Sequence, residues 1–313
     1  MRRFALLICA VVLSLAGEAR GQETRTADPY VVVLGIGQDA GVPQAGSFAH
    51  PGWRDKDRSH FATSIGLVDP ETGQYWIFEA TPDIRQQWYD IHVETRPSQG
   101  QLAGVLLTHA HIGHYAGLMF FGHESAGTNQ LPVYAMPRMS DYLRSNGPWS
   151  QLVKYENISI HELTDNEWRS LNSRIRVRPF LVPHRQEFSE VVGYIIEGPN
   201  RKVLFLPDID SWHELDDQGV SIEALIEEVD IAFLDATFYA NGEIPGRDMS
   251  SFPHPFITTS MRRFASLPQV EKDKIHFIHM NHTNPVLDVD SDARQSVEAS
   301  GFRIAFRGQQ FDL

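Results

Sequence analysis

The chain has 313 residues, 27 of them Lys or Arg against 40 Asp or Glu, for a formal charge of −13. So acidic a surface repels phosphate backbones, which argues against nonspecific nucleic-acid binding. Cys9 is the sole cysteine, so disulfides, thiolate nucleophiles and cysteine-held metals are excluded from everything beyond the N-terminal segment.

That segment reads as a secretory signal peptide over residues 1–21. Arg2 and Arg3 precede an apolar run over 4–15, and Ala19-Arg20-Gly21 offers a small-residue exit. The 12-residue run is too short to span a bilayer. The expectation is an exported protein, periplasmic or secreted, with no membrane span after signal removal. Losing Arg2, Arg3, Arg20 and Glu18 takes away +2 and leaves a mature part of 292 residues at −15.

Downstream, apolar β-rich runs are predicted at 30–35, 63–68, 75–80, 104–108, 133–136, 174–182, 191–197, 202–206, 231–235, 276–279 and 302–306. Helical patterns fall between them at 82–91, 115–123, 140–145, 222–229, 258–267 and 292–299. With no repeat, low-complexity tract or Gly/Ser linker, this predicts one layered α/β domain over 22–313.

The strand at 104–108 delivers the most informative motif, Thr108-His109-Ala110-His111-Ile112-Gly113-His114. Alternate residues of a strand share a face, so its end aims His109 and His111 together, and His114 approaches from the next helix. Three imidazoles so placed predict a metal centre, because neutral histidine is the commonest ligand for borderline metals. With cysteine absent, the remaining ligands must be His, Asp or Glu.

Later strands end in the same side-chain types. His184 follows Phe180-Leu181-Val182-Pro183, Asp208 follows Leu206-Pro207, and Asp235 closes Ile231-Ala232-Phe233-Leu234. His282 comes after His279-Met280-Asn281, and His254 lies in a loop before a helix. Asp208 and Asp235 also suit helix caps or turns. Their recurrence at strand ends, where layered α/β proteins build their sites, favours function.

His-x-His-x-x-His after a strand, an isolated His, a strand-end Asp and a late His together resemble the metallo-β-lactamase fold superfamily. The likeness is nearest to the branch of pyrroloquinoline quinone biosynthesis protein B and the ribonuclease Z-like phosphodiesterases. Leu34-Gly35-Ile36-Gly37-Gln38-Asp39-Ala40-Gly41, Ala80-Thr81-Pro82-Asp83 and Asn281-His282-Thr283-Asn284-Pro285 carry it over nearly the whole mature chain. The resemblance implies a four-layer αββα sandwich with metal at the sheet edge. It implies a first metal site of His109, His111 and His184 and a second using His114 and His282, with Asp208 bridging. It also implies that Asp235 and His254 assist proton transfer.

Two departures qualify it. Gly113 stands where the superfamily usually has Asp, so a second ion should bind weakly, be replaced by another metal, or be lost. The stretch 45–53 lacks the cysteines with which the quinone-biosynthesis family often holds a structural zinc, so His50 and His60 read as ordinary loop histidines. Zinc, as one or two ions, is the expected cofactor, iron and manganese being the other ions such donors suit.

These readings point to a metal-dependent hydrolase acting on a small ester, lactone or phosphodiester, with a small molecule as its only partner and the oligomeric state open. An oxygen-dependent enzyme with one iron, and a metal-binding protein without turnover, are the competing readings. For Asp235 and His254, a loop-fixing hydrogen bond competes with a catalytic role.

Overall fold

Alternation decides where the core lies. In strand β1 (Tyr30–Gly35), Val31 and Val33 join one buried cluster, while Tyr30, Val32 and Leu34 join another. A strand buried on both faces belongs to the inside of a layered sandwich.

The protein, described by a computed structural model over residues 28–95, 100–185 and 187–313, has two such sheets. The expected signal peptide, with Cys9, lies outside those residues. The first sheet follows β1 with β2 (Ser64–Asp69), β3 (Gln74–Phe78), β4 (Gln101–Leu106), β5 (Leu131–Ala135) and β6 (Ile158–Glu162). The second holds β7 (Arg169–Ser170), β8 (Arg176–Leu181), β9 (Val192–Glu197), β10 (Lys202–Leu206), β11 (Ile231–Asp235), β12 (Ile275–Ile278) and β13 (Arg303–Ile304). The chain then returns to the first sheet as β14 (Gln310–Asp312), antiparallel to β1 with Tyr30 opposite Asp312.

The strand orders are β14-β1-β2-β3-β4-β5-β6 and β13-β12-β11-β10-β9-β8-β7. Each sheet is antiparallel at one end and parallel from β3 or β10 onward. Phe78 reaches Tyr194 and Phe205 across the sandwich, at ring separations of 5.4 and 5.9 Å. Ile84 and Ile91 of the helix Ile84–Thr95 cover the outer face of the first sheet. Helices Ile222–Glu228, Ile257–Arg263 and Asp292–Ala299 cover the second. Among the described residues no helix is long and apolar enough to cross a membrane.

One local expectation changes. The helix expected over 115–123 is a short α-turn, Ile112–Tyr115, followed by a 3₁₀ segment, Ala116–Phe121. The backbone there is pinned to the preceding loop by Ala80 N–H to the His114 carbonyl and Gly117 N–H to the Ala80 carbonyl, both 2.8 Å. A Cβ at Gly117 would lie 2.1 Å from the Thr81 carbonyl, so only glycine allows this approach. Met119 consequently faces solvent, beside the buried Phe121.

Burial also creates a pH-sensitive element away from the strand ends. His276 packs on Phe233 and Phe311, and its burial lowers its pKa from 6.5. The unfolded chain therefore binds this proton more readily, so the stability is present above about pH 6.5 and is lost as pH falls toward the folded-state value. Denaturant titrations at pH 7 and 5 should show a smaller drop for His276→Phe than for wild type.

Candidate metal centre

The carboxyl ends of β4, β8, β10, β11 and β12 meet at one edge of the sandwich and deliver His109, His184, Asp208, Asp235 and His279 to a shared space. One set of donor atoms, from His109, His111, His184 and Asp208, lies within 4.8 Å of one another. A second set joins Asp208 to Asp235, His254 and His279, and a third comprises Asp39, His114 and His279.

The first set is arranged by its outer hydrogen bonds. His184 Nδ1 lies 2.6 Å from Asp210 Oδ1, which leaves its Nε2 facing inward. His109 Nδ1 lies 2.8 Å from Thr108 Oγ1, and His111 Nε2 lies 3.3 Å from Glu187 Oε2. Inside, His111 Nδ1 is 2.9 Å from His109 Nε2 and 3.1 Å from His184 Nε2. One ring nitrogen carries either a proton or a lone pair and cannot satisfy both neighbours. Donors about 2.0 Å from a tetrahedral ion stand roughly 3.3 Å apart, so a cation suits this spacing. Such outer partners on inward-facing imidazoles are the usual support of a metal site.

Asp208 stands at the centre. Its Oδ2 lies 3.3 Å from His184 Nε2, 3.4 Å from His109 Nε2, 3.6 Å from His114 Nε2 and 4.0 Å from His279 Nε2. Burial alone would raise its pKa, but His254, His184 and His279 hold it well below the ordinary carboxylate range. Burial drives His109 well below 6.5 and takes His279 to about 4, favouring the neutral rings that metals require. On His184, burial is outweighed by Asp208 and Asp210, which raise its pKa to about 9.

Asp235 is differently engaged. Its Oδ1 accepts from the Thr237 N–H and hydroxyl at 2.9 and 2.8 Å, and its Oδ2 from Ile209 N–H at 3.0 Å. His254 Nδ1 adds a fourth contact to Oδ2 at 2.8 Å. Its lone pairs are thereby used, and it holds His254 rather than a metal. Burial opposes a charge on His254, but Asp235 and Asp208 outweigh it and raise the pKa well above 6.5. Because the Thr237 hydroxyl donates to Asp235, its oxygen accepts from His279 Nδ1 at 3.0 Å. His279 Nε2 then carries a lone pair toward Asp208, buried and without a partner.

Of the residues expected from sequence, His109, His111, His114, His184, Asp208, Asp235 and His254 all reach this space; His282 does not. Its ring faces His50 at 6.2 Å, and its Nδ1 is buried without a partner. His279 takes the position instead, turned inward at φ 69° directly beyond β12. Sequence reasoning also passed over Glu79, fully buried with Oε1 3.5 Å from His114 Nδ1. Its signal was the same as for Asp235, a carboxylate at a strand end. His50 proves to be a cap, its Nδ1 accepting from Gly52 N–H at 3.1 Å.

Two facing mixed sheets with His and Asp converging at strand ends define an αββα metal-binding protein of the metallo-β-lactamase fold. The chain belongs to the family described as the beta-lactamase superfamily domain, which matches residues 75–281. Coenzyme PQQ synthesis protein B of Methylorubrum extorquens (strain PA1) is 27% identical over 310 residues, 91% of this chain and 100% of that protein. The crystal structure of Zn(2+)-bound PqqB from Methylobacterium extorquens superposes with a TM-score of 0.73 at 25% identity, over 91% of this chain and 100% of that one. A diphosphatase of the PhnP family gives 0.63 at 20% identity, over 91% and 97% of the two chains, and shows the shared fold.

Proposed function

We propose that this chain is an exported metal-dependent hydrolase acting on a small ester, lactone or phosphodiester. The observation that carries the reading is the position of Asp208, one carboxylate facing five imidazole nitrogens, of which His254 Nδ1 is shared with Asp235. His109, His111, His184 and Asp208 would hold the ion, with His114 and His279 facing the same Asp208 oxygen. Zinc suits these N and O donors, and the zinc named for the PqqB relative supports it. When bound, such an ion supplies Lewis acidity, polarising a scissile oxygen and lowering the pKa of water toward about 7.

The chain's own residues supply the rest. Asp208 orients the site and offsets its positive charge. Asp235 fixes the His254 ring through Nδ1, leaving Nε2 to donate a proton to the leaving group. A cleft of about 670 Å³ beside it, lined by Arg185, Asp210, Trp212, Phe252 and His254, has the volume of a small-molecule site. Export rests on the signal-peptide pattern of residues 1–21.

Chelator-treated protein should lose turnover of aryl ester and bis-aryl phosphodiester probes, and zinc should restore it. Turnover unchanged after metal removal would overturn the reading, as would one bound iron with oxygen consumption and no hydrolysis.

A further inference from the structure

We infer that Asp39, from the glycine-rich loop after β1, is the carboxylate ligand of a second divalent cation, held with His114, His279 and Asp208. This rests on reading the strand-end cluster as a metal centre. It runs against the sequence expectation that Gly113 leaves the second ion short of a carboxylate.

Donor atoms of Asp39, His114 and His279 lie within 4.8 Å of one another. His114 and His279 are buried, and the Nε2 of each lacks a hydrogen-bond partner. Two buried, unpartnered ring nitrogens beside two carboxylates leave a cost that a cation would offset. His114 Nδ1 is backed by Glu79, so its Nε2 is the inward donor.

The loop is placed by the same contacts that place His279. Met280 N–H bonds to the Ile36 carbonyl and Gln38 N–H to the Met280 carbonyl, each at 2.8 Å. Asn281 Nδ2 reaches Gln38 Oε1, and Gly41 N–H closes a turn onto the Gln38 carbonyl at 2.9 Å. Asp39 sits in that turn at φ 47°, a conformation that Asp adopts more readily than most residues.

Gly113 is part of the same arrangement. A Cβ at that position would lie 2.4 Å from Asp39 Cα and 2.7 Å from the Asp39 carbonyl oxygen. Both are backbone atoms, so a side chain at 113 would have to displace the loop itself. The loop carrying Asp39 occupies the space a side chain at 113 would need, so glycine there and the carboxylate at 39 are one structural solution.

The test is zinc per chain on the full-length mature protein after equilibrium dialysis, read by mass spectrometry, with cobalt(II) absorption as a second readout. Wild type should bind two ions, and the near-isosteric Asp39→Asn one, its second-ion affinity falling at least about tenfold. Gly113→Ala removes no ligand but forces residue 39 away, and should lose the same ion. A purely structural role for Asp39 would lower Tm and leave two ions bound. Two tightly bound ions in Asp39→Asn, or in Gly113→Ala, would overturn the inference. One ion in wild type would overturn it while leaving the hydrolase reading intact, and none would overturn both.

Discussion

Replacing Asp208 by alanine should abolish hydrolysis and strip metal from the whole site, not from one half of it. Its Oδ2 is within 3.3–3.6 Å of inward nitrogens on His184, His109 and His114. No other carboxylate contact in the described residues spans those three rings. Loss of a group that merely supports a ligand typically costs about 10–100-fold in metal affinity or activity, so loss of this central ligand should exceed 100-fold. Thermal unfolding gives a second measure. An ion that binds only the folded state stabilises by about 2.7 kcal/mol at 100 times its Kd, so zinc should raise wild-type Tm and leave Asp208→Ala nearly unmoved. His279→Ala should lose metal, whereas His282→Ala, whose ring faces His50, should keep it. Full metal content in Asp208→Ala would exclude the bridging assignment.

What was legible in the chain, and what was not, follows from the range of the interactions involved. Strand ends are local. Each apolar run announces where its chain leaves the sheet, and the residue that follows sits at the site edge. That rule placed His109, His184, Asp208 and Asp235. Applied evenly it also selects Glu79 and His279, at the exits of β3 and β12. The Asn281-His282-Thr283 motif points three residues past His279, to a ring that faces His50 instead. The inward turn of His279 needs a positive φ that its flanking residues do not announce.

Asp39 belongs to another category. Its place depends on the bridge between Gly37 and Met280, residues far apart in the chain, and on a loop passing over Gly113. No periodicity encodes such a contact. β14 was missed for a related reason. Its three residues are too few to show a pattern, and it exists because β1 offers an edge to pair with.

His254→Asn should lower kcat by about 10²–10⁴-fold, the usual worth of a positioned general acid, with metal content unchanged. Asparagine suits this position because the backbone there has φ 79°, which most side chains resist. The loss should depend on the leaving group. An aryl alcohol of low pKa departs without a proton and should lose little. An alkyl alcohol needs the proton from His254 Nε2 and should lose most. Asp235→Asn should follow the same pattern more weakly, since the amide replaces one of two oxygens that together accept four hydrogen-bond contacts and still leaves a ring to be held. The competing reading, a hydrogen bond that only fixes the loop, predicts instead an equal loss for both leaving groups together with a fall in Tm. A comparison of nitrophenyl and alkyl esters across the two variants separates them, because only proton donation makes the defect scale with leaving-group basicity.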